Sequence, residues 1–480
     1  MLRGSLALLL LLVLYIVLPA AQGKQLPQAK SLAVTHVTVV NVEAKDAERA
    51  LVPDQTVIVT GDRITAIGRT GRVRVPAGAQ VIDATGKFLI PGLWDMHVHL
   101  FNNVSAPGTN NKDAYFPLFI ANGVTGVRDM FTDPDDIKLV RDWQKEVKAG
   151  TMLAPRIFVG SSIVDGVPVF QKNSLGVSTP DEARRAVRML KDAGAGFIKV
   201  YDNLSRDSYY AIADETRMLK IPFAGHVPNS VTAAEASNAG QKSIEHLTRM
   251  FVACSSAEDR FKDIKEAEWT AALFLEMMQS YSEQKCREVA AVFVRNGTWH
   301  DPTLVERRST YLGDDEAFKK DVRLRYVPAD EVRGWIKLTE RLKPASRKNR
   351  ELRVRRLLEI VNVMHGAGVP LLAGTDVSNP FVYAGFSLHD ELAAFVEAGL
   401  SPFEALKTAT VNPAKFLGRE KELGVVRRGN LADLVLLDAD PLTDIANTRR
   451  ISAVVVNGRL LDRKALDSML AQVEASANRK

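Results

Sequence analysis

From Leu32 to Val40 apolar and polar residues alternate and branched side chains dominate, the two-residue period of a half-buried strand. Thr56–Val59 and Arg63-Ile64 flank Gly61-Asp62 and read as a hairpin, and Val81–Gly86 continues the series. A matching pattern returns at the far end. Ala432–Leu437 is one strand, and Ile451–Arg459 contains the turn pair Asn457-Gly458. The two ends together predict one small β-sandwich domain, residues 24–88 with 420–480, into which the rest of the chain is inserted. His36 falls in this sheet and reads as structural.

At Leu89 the pattern changes to short apolar strands alternating with helical stretches, which predicts parallel βα units. The strands are expected at 89–99, 123–129, 155–160, 196–201, 222–227, 242–247, 297–304 and 369–376. Thr179-Pro180-Asp181-Glu182 opens a helix with a cap residue and proline at the first turn. Eight such units make an α/β fold, a (β/α)8 TIM barrel over 89–419. A helical insertion at about 257–350 is longer than an ordinary connection, and part of it is expected to roof the barrel mouth.

The first residues belong to neither domain. Arg3, the apolar run Leu6–Leu18 and the small residues Ala20-Ala21-Gln22-Gly23 have the order of a secretory signal peptide over 1–23. The run is short of the about 20 apolar residues of a membrane span, and an uncleaved anchor is the competing reading. The mature chain is expected in the periplasm or outside the cell, without stable membrane insertion. There Cys254 and Cys286 are free to pair, although spacing alone does not say that they do. The charge of +6 falls to +5 without Arg3, and no basic stripe interleaved with aromatics marks a nucleic-acid surface.

The chemistry-bearing residues fall at the expected strand ends, where barrels of this kind place their sites. His97 and His99 lie two apart and share one strand face. Lys199 stands between Ile198 and Val200, His226 and His246 end two further strands, and Asp376 follows Gly374-Thr375. Each alone has an ordinary explanation: a packed core histidine, a rim ion pair, a helix cap. Together they would leave several buried charges unexplained unless they serve one site. Lys199 is the most informative. A buried ammonium is costly unless its pKa falls or it is paired. Either it is carbamylated, giving a carboxylate on a long stem that can bridge two divalent ions, or it binds a substrate carboxylate.

This set resembles the metal-dependent amidohydrolase superfamily. Within it the chain is most similar to the imidazolonepropionase-like branch that includes binuclear prolidase-like carboxypeptidases and ochratoxin-hydrolysing amidases. The likeness runs from about Leu32 to Arg459 and includes Gly399–Leu406, Ala409–Ala414 and Gly429–Val435. Imidazolonepropionases themselves lack the in-strand lysine, so Lys199 argues for the binuclear type. The resemblance implies that His97, His99 and Asp376 hold one metal ion and His226 and His246 a second, with carbamylated Lys199 between them. It also implies a hydroxide shared by the two metals that attacks a carbonyl, with Asp376 as general acid/base. Zinc is the default ion, with manganese, cobalt or nickel compatible.

The expected activity is hydrolysis of C–N amide bonds in dipeptides or N-acyl amino acids carrying a free carboxylate. A lactonase or organophosphate hydrolase would use the same site, and a metal-free barrel that only binds ligands is the non-enzymatic alternative. For substrate contacts the candidates are Tyr201, two residues beyond Lys199 on the same face, His300 on the seventh strand, and Arg128, which competes with a structural pairing to Asp129. His365 reads as structural, and His389 as a distant candidate. The partner expected is the small substrate; whether the chain self-associates is left open.

Overall fold

The computed structural model describes residues 31–101, 110–264, 268–342 and 346–479. The expected signal segment, 1–23, lies outside the described residues. The first strands are β1 (Leu32–Val40), β2 (Leu51–Thr60), β3 (Arg63–Arg69), β4 (Gln80–Asp83) and β5 (Phe88–Pro91). β1 does not alternate cleanly. The register slips between Val34 and Val37, both of which pack in the sheet's apolar cluster. His36 absorbs the extra residue at φ 57° and turns outward, 3.5 Å from Asp83. It is structural, as expected.

The stretch expected as one opening strand is two. β5 stays with the N-terminal strands, and β6 (Leu93–Val98) begins the inserted body. Gly92 makes the break. Its N–H donates to Asp433 O, and a Cβ there would lie 2.0 Å from Thr125 Oγ1, so only glycine lets the two layers approach.

The body continues with β7 (Val124–Asp129), β8 (Arg156–Val159), β9 (Ile163–Gly166), β10 (Leu175–Val177), β11 (Ile198–Val200), β12 (Phe223–Gly225), β13 (Ser243–Glu245) and β14 (Trp299–Asp301). β6, β7 and β8 form one parallel sheet, and β10-β9-β11-β12-β13-β14 form another. β9 and β10 were not legible as strands. The eighth expected strand is irregular: 369–376 makes only one bridge, His300 with Leu371, and a second follows it, Val98 with Val377. Backbone bonds nonetheless pass from β14 to this segment (Leu372 N to His300 O, 2.9 Å) and on to β6 (Asp376 N donating to His97 O, 2.8 Å). Parallel strands alternate with helices such as Pro180–Ala193 and Arg206–Leu219, giving a TIM-barrel-like fold of mixed α/β content.

The chain then returns as β15 (Leu434–Leu437), β16 (Ile451–Val456) and β17 (Arg459–Asp462). These join β1–β5 in one eight-stranded sheet, ordered β17-β16-β15-β5-β1-β2-β3 with β4 on β1. One apolar cluster holds Val34, Val57 and Ile64 together with Leu434, Leu436 and Val455. The strands from 32–91 and from 434–462 therefore bury their apolar faces together, which removes that surface from water. Cys254 and Cys286 are bonded to each other. Among the described residues no helix is long and apolar enough to cross a membrane.

Candidate metal centre

Lys199 sits in the middle of β11, where strand alternation separates it from its neighbours. Ile198 and Val200 are fully buried in the main apolar core, and Lys199 points the other way, into the barrel, only 1% exposed. Gly225 on the adjacent strand makes room. It sits at φ 136°, and a Cβ there would approach Lys199 Cδ to 3.1 Å and Val200 O to 2.2 Å. Around the lysine the strand ends bring His97 and His99, His226, His246 and Asp376 to one cavity of about 440 Å³. Two of these carry left-handed backbone, His246 at φ 58° and Asp376 at φ 59°. Such a conformation costs a non-glycine residue on the order of 1 kcal/mol and persists where the surroundings hold a side chain in a required direction.

The rings are close. His97 and His246 lie 4.5 Å apart between centroids, His226 and His246 4.9 Å, and His97 and His99 5.4 Å. Asp376 Oδ1 is 2.9 Å from His99 Nε2 and 3.4 Å from His97 Nε2, and its Oδ2 is 3.7 Å from His246 Nε2. Three of the rings are held from behind. Glu245 lies 3.2 Å from His97 Nδ1, Asp202 lies 2.9 Å from His226 Nδ1, and Thr303 lies 2.7 Å from His246 Nδ1. A partner on Nδ1 leaves Nε2 to face the cavity, the arrangement that orients a metal-binding imidazole.

The front of the site is open. Among the described residues, His97 Nε2, His99 Nδ1 and Asp376 Oδ1 are buried without a hydrogen bond. His97, His99 and Asp376 place one ligand atom each within 4.8 Å of one another, as do His246, Glu306 and Asp376. Burial drives His97 and His246 well below the ordinary histidine range, so both rings are neutral and offer a lone pair. Burial raises Asp376, but the hydrogen bond from His99 and the positive charge of Lys199 oppose it, and the carboxyl lies below its ordinary range. Burial pushes Lys199 down to about 8, against the pull of Glu245 and Asp376, and among the described residues it makes no ion pair. Imidazole and carboxylate donors with unsatisfied buried lone pairs fit divalent cations.

Tyr201 lines the same cavity, its ring stacked on His226 at 3.9 Å. Two other candidates do not. Arg128 is fully buried beneath the site. It donates to Met96 O at 2.5 Å, Ser243 Oγ at 3.0 Å, Glu245 at 2.8 Å and Asp301 at 3.2 Å, so it has no edge left for a substrate and does not pair with Asp129. His300 is also fully buried, packed on Phe293 at 4.4 Å, with burial pushing its pKa down to about 3. His389 is spent on Thr448 and Asn122 O, and His365 on Glu404.

Several site residues had no readable signal. Asp202 and Glu245 adjoin Tyr201 and His246 in sequence, but the rings they hold sit on other strands. Glu306 and Arg307 come from the first turns of the helix Leu304–Leu312, part of the expected helical roof. A larger cleft, about 580 Å³, lies between the terminal sheet and the body near Trp143, Lys148 and Arg419, with no histidine in its walls among the described residues.

The model of the amidohydrolase family matches residues 88–461, and the chain belongs to that family, whose members generally use divalent metals. The chain is 23% identical over 430 residues to adenine deaminase 3 of Rhizobium meliloti (strain 1021), covering 87% of this chain and 56% of that enzyme. It thus spans little more than half the length of the curated relatives it matches along most of its own length. Among solved structures it resembles bottromycin amidohydrolase, with 23% identity, TM-score 0.73 and coverage of 94% of this chain and 91% of that one. A Xaa-Pro dipeptidase with methionine bound in its active site has 20% identity, TM-score 0.64 and coverage of 90% and 100%. These two likenesses are of fold.

Proposed function

We propose that this chain is a metal-dependent hydrolase of C–N amide bonds, acting on dipeptides or N-acyl amino acids with a free carboxylate. The observation that carries it is the convergence of His97, His99, Lys199, His226, His246 and Asp376 on one cavity, with open ligand atoms in front and fixed partners behind. His97, His99 and Asp376 would hold one ion and His226 and His246 a second, with zinc the default. Lys199 would bridge them as a carbamate: the neutral amine adds to carbon dioxide, an N–C bond forms and a proton leaves. Its pKa of about 8 keeps a share of the amine neutral near neutrality, which favours that addition. When bound, the ions supply a water of lowered pKa and polarise the substrate carbonyl.

The chain's own groups do the rest. The ionised Asp376 carboxylate takes the proton of the attacking water and passes it to the leaving amine. Tyr201 keeps its hydroxyl protonated, since burial and then Asp202 raise its pKa, and so remains a donor for the developing oxyanion. The hydrogen bonds that run from β14 through 371–377 to β6 support a closed (β/α)8 barrel over 89–419. The shared apolar cluster of β1–β3 with β15 and β16 supports a composite β-sandwich from 24–88 and 420–480. The bonded cysteines support a periplasmic or secreted location, because such bonds persist in oxidising compartments.

The test is direct. Metal analysis of the purified protein should find about two equivalents per chain, and the loaded enzyme should cleave members of a dipeptide and N-acyl amino acid library. A chain that takes up no metal and cleaves none of them is not this enzyme. Cell fractionation checks the location.

A further inference from the structure

Among the described residues, Arg307 is the one pocket cation that neither the metal ligands nor the oxyanion donor accounts for and that is not on the rim. Its Nε is bonded to Glu306, which lines the same pocket. Among the described residues its two Nη groups make no hydrogen bond, and the side chain is 25% exposed. The helix that carries it is fixed at its start. Glu391, fully buried, accepts from Leu304 N at 2.9 Å and Val305 N at 2.8 Å, and Thr303 before it is tied to His246. The guanidinium is therefore presented by a rigid element rather than a free loop. A planar fork with an open edge matches a carboxylate two bonds at a time.

We propose that the Nη edge of Arg307 binds the free carboxylate on the amine side of the scissile bond, which makes the enzyme select substrates ending in an apolar amino acid. This rests on the amide-hydrolase function proposed above and names its substrate side. In an α-amino acid the carboxylate stands only two bonds from the scissile nitrogen, so its anchor must lie beside the metal ligands. Glu306, the neighbour and ion-pair partner of Arg307, places an oxygen within 4.8 Å of ligand atoms of His246 and Asp376. The apolar preference follows from the wall: Phe131, Ile163 and Tyr201 pack together, and Phe170 lies 5.9 Å from the Tyr201 ring. Lys172 also borders the pocket but is exposed, where water screens it.

The metal-loaded enzyme is assayed on N-acetyl-L-phenylalanine, on its carboxamide, and on succinanilic acid, whose carboxylate is on the acyl side. The expected order places the first well above the other two. Arg307→Met should lower kcat/KM for N-acetylphenylalanine roughly 10- to 100-fold, mainly through KM, and bring the acid and carboxamide rates together. Arg307→Lys should restore part of the preference. A parallel fall on acid and carboxamide means a structural role and overturns the inference, as does a preference for succinanilic acid or none at all. Calorimetric binding of L-phenylalanine to wild type and Arg307→Met gives a readout without turnover. Affinity should drop about 10-fold or more in the variant, and equal affinities refute the anchor. If no amide is cleaved but that drop appears, the function fails while the carboxylate site stands.

Discussion

Two polar layers lie among the inner strands, largely on different ones, and meet at β13. The upper one holds His97, His99, Lys199, His226, His246 and Asp376. The lower one holds Arg128, Ser243, Glu245 and Asp301. Both are buried and both are charged. The lower layer is more nearly closed on itself, since Arg128 donates to Ser243, Glu245 and Asp301; burial and the charge of Glu245 raise the Asp301 pKa, and Asp301 Oδ1 is the one atom of these four side chains without a hydrogen bond among the described residues. The upper layer is closed only from behind and leaves buried ligand atoms without partners. Glu245 touches both layers, reaching Arg128 at 2.8 Å and His97 at 3.2 Å. A buried charge by itself therefore does not mark a site; several buried ligand atoms without partners that converge on one cavity do.

The contrast can be broken most severely at Lys199. Lys199→Met should reduce kcat/KM by about 10³- to 10⁴-fold, because the ions' charge stabilisation is worth several kcal/mol. Bound metal should fall below that of wild type. The metal-free variant should nonetheless be at least as stable in denaturant, since an unpaired buried ammonium has gone. Full activity would remove the lysine from the centre.

Arg128→Met should do the opposite. It leaves Glu245 buried without its cation and should cost about 3–5 kcal/mol of unfolding free energy, read by denaturant titration. An unchanged midpoint would mean that the lower layer is not closed by Arg128.

Asp202→Asn touches only the support of one ring. It should weaken metal binding about 10- to 100-fold in a competition titration while the fold persists. No loss would mean that the His226 ring is held by packing, against Tyr201 for example.

The last effect concerns pH and is small per pH unit. Burial raises Glu391 to about 8 in the folded chain, against 4.5 unfolded. The folded state therefore binds more protons between these values. The stabilisation is full below about 4.5 and is lost as pH rises through about 8, with a slope of at most about 1.4 kcal/mol per pH unit. Glu391→Gln should flatten that part of the stability profile; an unaltered slope would place the raised pKa elsewhere.

The upper layer was largely legible because period-two alternation puts residues such as Lys199 on the face opposite apolar neighbours, and barrel strands present their ends to one mouth. His97 and His99 could be paired from spacing alone. Arg128 and His300 were misjudged for the same reason that Lys199 was seen. A polar residue in an apolar strand announces burial, but not depth along the barrel axis. Only the neighbours reveal depth, and those neighbours, Glu245 and Asp301, come from 117 and 173 residues away from Arg128. The irregular segment 369–376 was expected as a strand on composition, whereas its backbone turns left-handed at Asp376 to aim a carboxylate.

By itself the sequence determined the alternation of strands and helices, the pairing of the two chain ends, and which side chains carry ligand atoms. Each of these depends on local period and residue type. The tertiary structure decided which of those atoms are left open. It set Asp202, Glu245 and Thr303 behind the rings, brought Glu306 and Arg307 over them from the roof helix, and closed Arg128 into a network below. Hydrogen-bond satisfaction is a property of distant segments brought together, and no local pattern encodes it.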